Sequence, residues 1–183
     1  INNTHVYITE KADGLRQMDF ISNITNINEN LSVQYENVDN INIIYNIVNS
    51  NNIFDNMQYL RSLHPYAPKY VDVKFNLNNL EEYCIREKKC FDKYLEESKM
   101  LNIKNLWWPK FVWILNTNHI DYINSLTLLK PCNIFKTDGY ILYSNNFQDD
   151  IYKVKPFELL TIDLKYINNQ WLTKENFVFD KNI

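Results

Sequence analysis

The sequence predicts an α+β fold, a mostly antiparallel sheet system with two or three helices inserted in its middle. Three observations carry that expectation. The first fifty residues are short β-prone runs parted by Asn/Ser-rich turns, and the last fifty return to the same pattern. Between them, residues 78–99 repeat apolar side chains at helical spacing.

Taken in order, strands are expected at about 5–10, 15–22, 31–36 and 41–48. A short helix about Asn56–Leu63 ends ahead of His64-Pro65, and residues 70–75 form a further strand candidate carrying Lys74, read as a solvated strand lysine. From Asn78 to about Lys99, Leu80, Tyr83, Cys84, Phe91, Tyr94 and Leu95 share a stripe, with Glu, Lys and Arg on the solvated remainder. Trp107-Trp108-Pro109 closes that segment, and Phe111–Leu115 reads as a strand. Asn116-Thr117-Asn118 can cap a helix to about Leu129. Strands are expected again at 132–135, 140–143, 151–155, 159–166 and 176–179. Trp107, Trp108 and Trp113 are read as core, with an RNA-stacking platform as the alternative. No repeat or linker divides the chain, so residues 1–183 are expected to form one domain. An Ile at position 1 points to a piece of a longer polypeptide.

Composition narrows the function classes. A net charge of −3 gives no global basic field, so any polyanion must be met by a local groove. Cys84, Cys90 and Cys132 form no metal-binding spacing and no disulfide framework, which fits a reducing compartment. No apolar run approaches the length of a membrane span, and no signal peptide is visible. Heavy use of Asn and Ile reads as A/T-rich coding bias with little chemical content.

The two glycines are the most informative residues. Both end a Lys-x-Asp-Gly tetrapeptide, Lys11–Gly14 and Lys136–Gly139. A chain this poor in glycine keeps it where φ must be positive or where something approaches the backbone closely. Each Asp-Gly lies between β-prone runs and reads as a tight hairpin turn with a lysine ahead of the bend. Further on, Lys153 and Lys155 project from one face of a strand. Two parallel ammonium groups suit a phosphate chain, although edge strands also carry lysine to discourage aggregation.

In order, Lys11-Ala12-Asp13-Gly14-Leu15-Arg16, Thr137-Asp138-Gly139-Tyr140-Ile141, Lys153-Val154-Lys155-Pro156 and Thr161-Ile162-Asp163 resemble the motifs of the covalent nucleotidyltransferases. That superfamily comprises mRNA capping guanylyltransferases and the DNA and RNA ligases. The resemblance spans about residues 6–166. Thr-Ile-Asp after Lys-x-Lys-Pro, and Thr-Asp-Gly where ligases carry Glu-Gly, lie closer to capping enzymes.

The resemblance implies a nucleotidyltransferase fold of ATP-grasp-like antiparallel sheets with inserted helices. It also implies an mRNA guanylyltransferase that forms a lysyl-N-GMP intermediate from GTP and passes GMP to the 5′-diphosphate end of RNA. Lys11 is then the nucleophile, and Lys136 is incidental. Glu10, Arg16, Glu36, Tyr45, Lys153 and Lys155 contact the nucleotide, Tyr45 by stacking. Glu36 and Asp138 hold Mg²⁺ or Mn²⁺, and Asp13, Gly14, Gly139 and Asp163 complete the motifs. A lysine amine must be unprotonated to attack, and neighbouring cations favour that state. The third motif departs from the family, with Gln34-Tyr35-Glu36 and Ile43-Ile44-Tyr45-Asn46 as the best candidates. Too few residues follow Asp163 to build the OB-fold domain that closes over the nucleotide in the family. Partners implied are GTP, RNA ends and triphosphatase or methyltransferase parts, without DNA or a membrane. The setting implied is cytoplasmic, as in a large DNA virus or a linear plasmid. The alternatives are an ATP-dependent RNA or DNA ligase and a catalytically silent assembly module.

Overall fold

The computed structural model describes residues 6–25, 31–50, 52–69, 77–115, 132–144, 151–154, 164–173 and 175–178. Two four-stranded sheets organise them. The first holds β1 (Val6–Ala12), β6 (Val112–Leu115), β7 (Thr137–Ser144) and β8 (Ile151–Val154), in the order β6-β1-β7-β8, all antiparallel. The second holds β2 (Leu15–Phe20), β3 (Ser32–Val38), β4 (Ile41–Ile47) and β5 (Leu106–Pro109), in the order β2-β3-β4-β5. Its β4–β5 pairing is parallel, so the sheet is mixed. The helices are α1 (Ile21–Ile24), α2 (Ile53–Leu63) and α3 (Leu77–Met100), and β9 (Lys165–Ile167) with β10 (Gln170–Leu172) forms a separate hairpin. The architecture is α+β with mixed sheets and few helices.

Turn chemistry explains how a chain with two glycines folds this way. Among the described residues, eight non-glycine positions have positive φ, and all are Asn except Asp39. Asp39-Asn40 (φ 50° and 67°) turns β3 into β4, and Asn168-Asn169 (φ 50° and 62°) turns β9 into β10. Asn and Asp tolerate the left-handed region through local hydrogen bonding. The asparagine content, read as coding bias, thus does glycine's conformational task. Asn133, at φ 58°, also breaks the strand expected at 132–135, which is a series of bends.

Ile43 and Ile44 are adjacent and fully buried, yet they belong to different apolar clusters. The second sheet is therefore covered on both faces. Ile43, Val38 and Trp108 pack with Phe91 and Tyr94 of α3 and with Ile8 and Trp113 of the first sheet. Ile44, Val33, Tyr35 and Trp107 pack with Met57 and Leu60 of α2. Continuous burial gives Trp107-Trp108-Pro109 no alternation, so β5 is unreadable as a strand from its pattern. The proline is tolerated because β5 is the last strand of its sheet. All three tryptophans are core, as expected.

Two buried polar centres tie the layers together. His64 is fully buried; its Nδ1 accepts from the Tyr66 and Ala67 amides at 3.1 Å. Nε2 therefore carries the proton and donates to the Trp107 carbonyl at 3.0 Å. Arg61 of α2 forks onto Glu87 of α3 at 2.8 and 2.5 Å and donates to the carbonyls of Pro68 and Pro109. Among the described residues, no helix is long and apolar enough to cross a membrane. The strand expected at 70–75 and the helix expected at about 118–129 lie outside the described residues, as do most of residues 159–166.

Candidate functional site

The chain crosses between the two sheets at two neighbouring places. β1 leaves the first sheet at Asp13-Gly14 and enters the second as β2; β5 leaves the second at Lys110-Phe111 and enters the first as β6. Asp13-Gly14 is thus a crossing and not a hairpin turn, since β1 and β2 do not pair. A Cβ at Gly14 would overlap the Asn37 carbonyl oxygen and lie 2.7 Å from Val38 Cγ2. Here glycine is required by the close approach of β3. The second crossing is pinned at both ends: the Lys110 amide donates to the Ile44 carbonyl and Thr9 Oγ1 to the Phe111 carbonyl, each at 2.9 Å.

The repeated tetrapeptide is explained by strand register. Ala12 stands opposite Thr137 in the antiparallel β1–β7 pair. Lys-x-Asp laid antiparallel on Lys-x-Asp is self-complementary, bringing each lysine to the other copy's aspartate. Lys11 Nζ lies 3.1 Å from Asp138 Oδ2, and Lys136 Nζ lies 3.4 Å from Asp13 Oδ2. The Asp13 amide also donates to the Lys136 carbonyl at 2.9 Å. Lys136, read as incidental, is therefore the partner of Asp13. Glu10 pairs with Tyr140 and Ala12 with Thr137, so Lys11 alone faces both Asp138 and Gly139. The second Asp-Gly is thus a β-bulge within β7, not a turn, with Gly139 at φ 95°. The two ion pairs differ in setting. The Lys11 and Asp138 side chains are 15% and 18% exposed; those of Lys136 and Asp13 are 71% and 48%.

The second sheet contributes Arg16, Glu36 and Tyr45. Arg16 and Glu36 are cross-strand partners, with Nε 3.6 Å from Oε1; the arginine is largely exposed and the glutamate nearly buried. Tyr45 is the extra residue of another bulge, because Gln34 pairs with Asn46 and Tyr35 with Ile44. The bulge breaks the plain alternation expected of this strand. It leaves the ring 5.6 Å from the Lys110 ammonium and within electrostatic reach of Arg16 and Glu36. Burial raises the Tyr45 phenol from its usual range, with Arg16 opposing.

Lys110 is the residue the sequence reading missed. It is buried, with Glu36, Glu10, Lys11 and Arg16 as its charged neighbours. Burial pushes its ammonium down to about 8, against the pull of the two glutamates. The available signal was a lone charge within Leu106-Trp-Trp-Pro-Lys110-Phe-Val-Trp-Ile-Leu115. Glu10 is also buried; its carboxylate accepts from the Cys132 amide at 2.5 Å, and burial lifts it above the usual carboxylate range. Lys153 is exposed on β8 opposite Ile141, which stands opposite Thr9; register places Lys153 on the face of Thr9 and Lys11. Lys155 and Asp163 lie outside the described residues.

The junction therefore gathers Lys11, Arg16, Lys110 and Lys136 with Glu10, Asp13, Glu36 and Asp138, drawn from both sheets. Such an arrangement can present an amine and fixed cations to an anionic ligand. Among the described residues, no group of three or more His, Cys, Asp or Glu side chains is arranged to hold a metal ion. No protein-family model matches the chain, and neither a curated protein nor a solved structure matches it.

Proposed function

We propose that this chain is the nucleotidyltransferase domain of an mRNA capping enzyme. It takes GMP from GTP onto Lys11 and passes it to the 5′-diphosphate end of RNA. The nucleotidyltransferase fold and a cytoplasmic setting beside triphosphatase and methyltransferase parts belong to the same proposal. One observation carries it: Lys11 sits against Asp138 where Arg16, Glu36 and Tyr45 of the second sheet converge with Lys110 of the second crossing.

In the first step Lys11 Nζ, having lost a proton, attacks the α-phosphorus. An N–P bond forms, the α–β P–O bond breaks, and pyrophosphate leaves. In the second, a terminal phosphate oxygen of RNA attacks the same phosphorus and the lysine amine is restored. Catalysis of this kind rests on positioning and charge. Arg16, with its exposed fork, meets phosphate or ribose oxygens. Tyr45 offers a ring face for the base, Glu36 holds Arg16, and Lys153 adds a cation on the Lys11 face. Mg²⁺ is commonly held by one or two carboxylates together with substrate phosphates, and Asp138 is the carboxylate suited to it. A bound Mg²⁺ would neutralise phosphate charge there.

Incubation with α-labelled GTP and, in parallel, α-labelled ATP under Mg²⁺ or Mn²⁺ tests the reading. A covalent label from GTP is expected. Label from ATP alone would make the chain a ligase-type domain, and no label from either in the full-length protein would make it an assembly module.

A further inference from the structure

Lys110 has no counterpart among the motif residues singled out by the resemblance, yet it occupies the second crossing between the sheets. Its amide is bonded to the Ile44 carbonyl, so its backbone moves with β4 one residue from the Tyr45 bulge. Its side chain runs through the core and ends over the Tyr45 ring at 5.6 Å. An ammonium over a phenol ring attracts it, most strongly when both are withdrawn from water. Across the sheet, Ile43 of β4 pairs with Glu36, and Glu36 with Arg16.

We propose that Lys110 is a positioning residue: its buried ammonium holds the Tyr45 ring and the Glu36 carboxylate in place, and through Glu36 it aims the exposed Arg16 fork. Three features favour this role over contact with a ligand. The side chain is only 2% exposed. The crossing that carries it is hydrogen-bonded at both Lys110 and Phe111. The groups around it, Glu10, Glu36, Lys11 and Arg16, come from both sheets, so one cation reports to each side of the junction. A lysine kept solely for stability is poorly explained here, because an apolar side chain of similar length would avoid the desolvation of a buried charge.

The test uses the full chain with 3-fluorotyrosine incorporated, the Tyr45 ¹⁹F signal being assigned by its loss in Tyr45→Phe. In Lys110→Met the Tyr45 signal is expected to shift and broaden while the other tyrosine signals hold. If it is unmoved, the proposal is wrong. A second arm rests on the proposed activity: labelling by GTP at saturation should fall about 10²-fold in Lys110→Met, the scale of a misplaced catalytic group. The Lys110→Met/Glu36→Gln double variant should be no slower than the worse single one. Losses that multiply would show that Lys110 does not act through Glu36. Lys110→Gln carries the same measurements if Lys110→Met does not fold. Absence of any label in the unaltered protein would overturn the activity and leave the ¹⁹F test of Lys110 standing.

Discussion

Replacing Arg61 by Met should be the most damaging single change among the charged residues described. The guanidinium donates to both Glu87 carboxylate oxygens at 2.8 and 2.5 Å, to the Pro68 carbonyl at 3.0 Å and to the Pro109 carbonyl at 3.1 Å. Its side chain and that of Glu87 are 2% and 0% exposed, so water cannot replace either partner. Methionine fills much of the volume but strips the countercharge from Glu87, which keeps the Trp108 Nε1 donor at 3.0 Å. Removing one member of a buried pair costs about 3–5 kcal/mol. Losing the donor at each of two carbonyls adds about 1 kcal/mol apiece. A loss of about 5–7 kcal/mol is comparable with the whole stability of a small domain, about 5–15 kcal/mol. Urea unfolding of the two proteins measures it directly. Arg61→Met/Glu87→Leu should recover about half, because the uncompensated charge is gone. A loss below about 1 kcal/mol for Arg61→Met, or a double variant as weak as the two single losses summed, would refute this view of the pair. Pro109 precedes Lys110, so the same change should loosen the second crossing.

Four further outcomes follow from the geometry. Burial holds His64 down to about 3, while an unfolded histidine titrates near 6.5. The unfolded chain therefore binds the extra proton first, and stability should fall as pH drops from about 6.5 towards 3, by about 1.4 kcal/mol per unit. Urea midpoints across that range check it, and His64→Gln should lose this part of the slope. Gly14→Ala forces a Cβ against Asn37 and Val38 and should cost about 1–3 kcal/mol, read as a lower thermal midpoint. Asp138→Asn should slow GTP labelling about 10²-fold or more. Lys136→Ala breaks only an exposed pair, and should change stability by less than about 1 kcal/mol.

Much of the fold was legible because local patterns decide it: the α3 stripe follows from helical periodicity, the β3 and β4 runs from β-prone residues parted by turn residues, and the burial of the tryptophans from their large apolar area. What escaped depends on partners far along the chain. Asp13-Gly14 looks like a hairpin because turn chemistry cannot say which sheet the next strand joins. Asp138-Gly139 looks the same and is a bulge, a distinction set by the register with β1. β5 lacks alternation since both its faces are covered. At the site, Lys11, Asp138, Arg16, Glu36 and Tyr45 were named from the sequence and stand at or beside the junction. Lys110 was not, because a lysine among tryptophans shows its neighbours only when β5 is laid beside β4. The reciprocal pairing of the two tetrapeptides was present in the sequence as self-complementarity, and needed only the antiparallel register to be seen.

The most direct test of the proposed chemistry is to locate the nucleotide. The full-length protein is incubated with GTP and a divalent cation, digested under alkaline conditions that spare the phosphoramidate, and its peptides are sequenced by mass spectrometry. GMP on Lys11, with no adduct in Lys11→Ala, is the predicted result. GMP on Lys136 or Lys110, or an adduct that persists in Lys11→Ala, would contradict it.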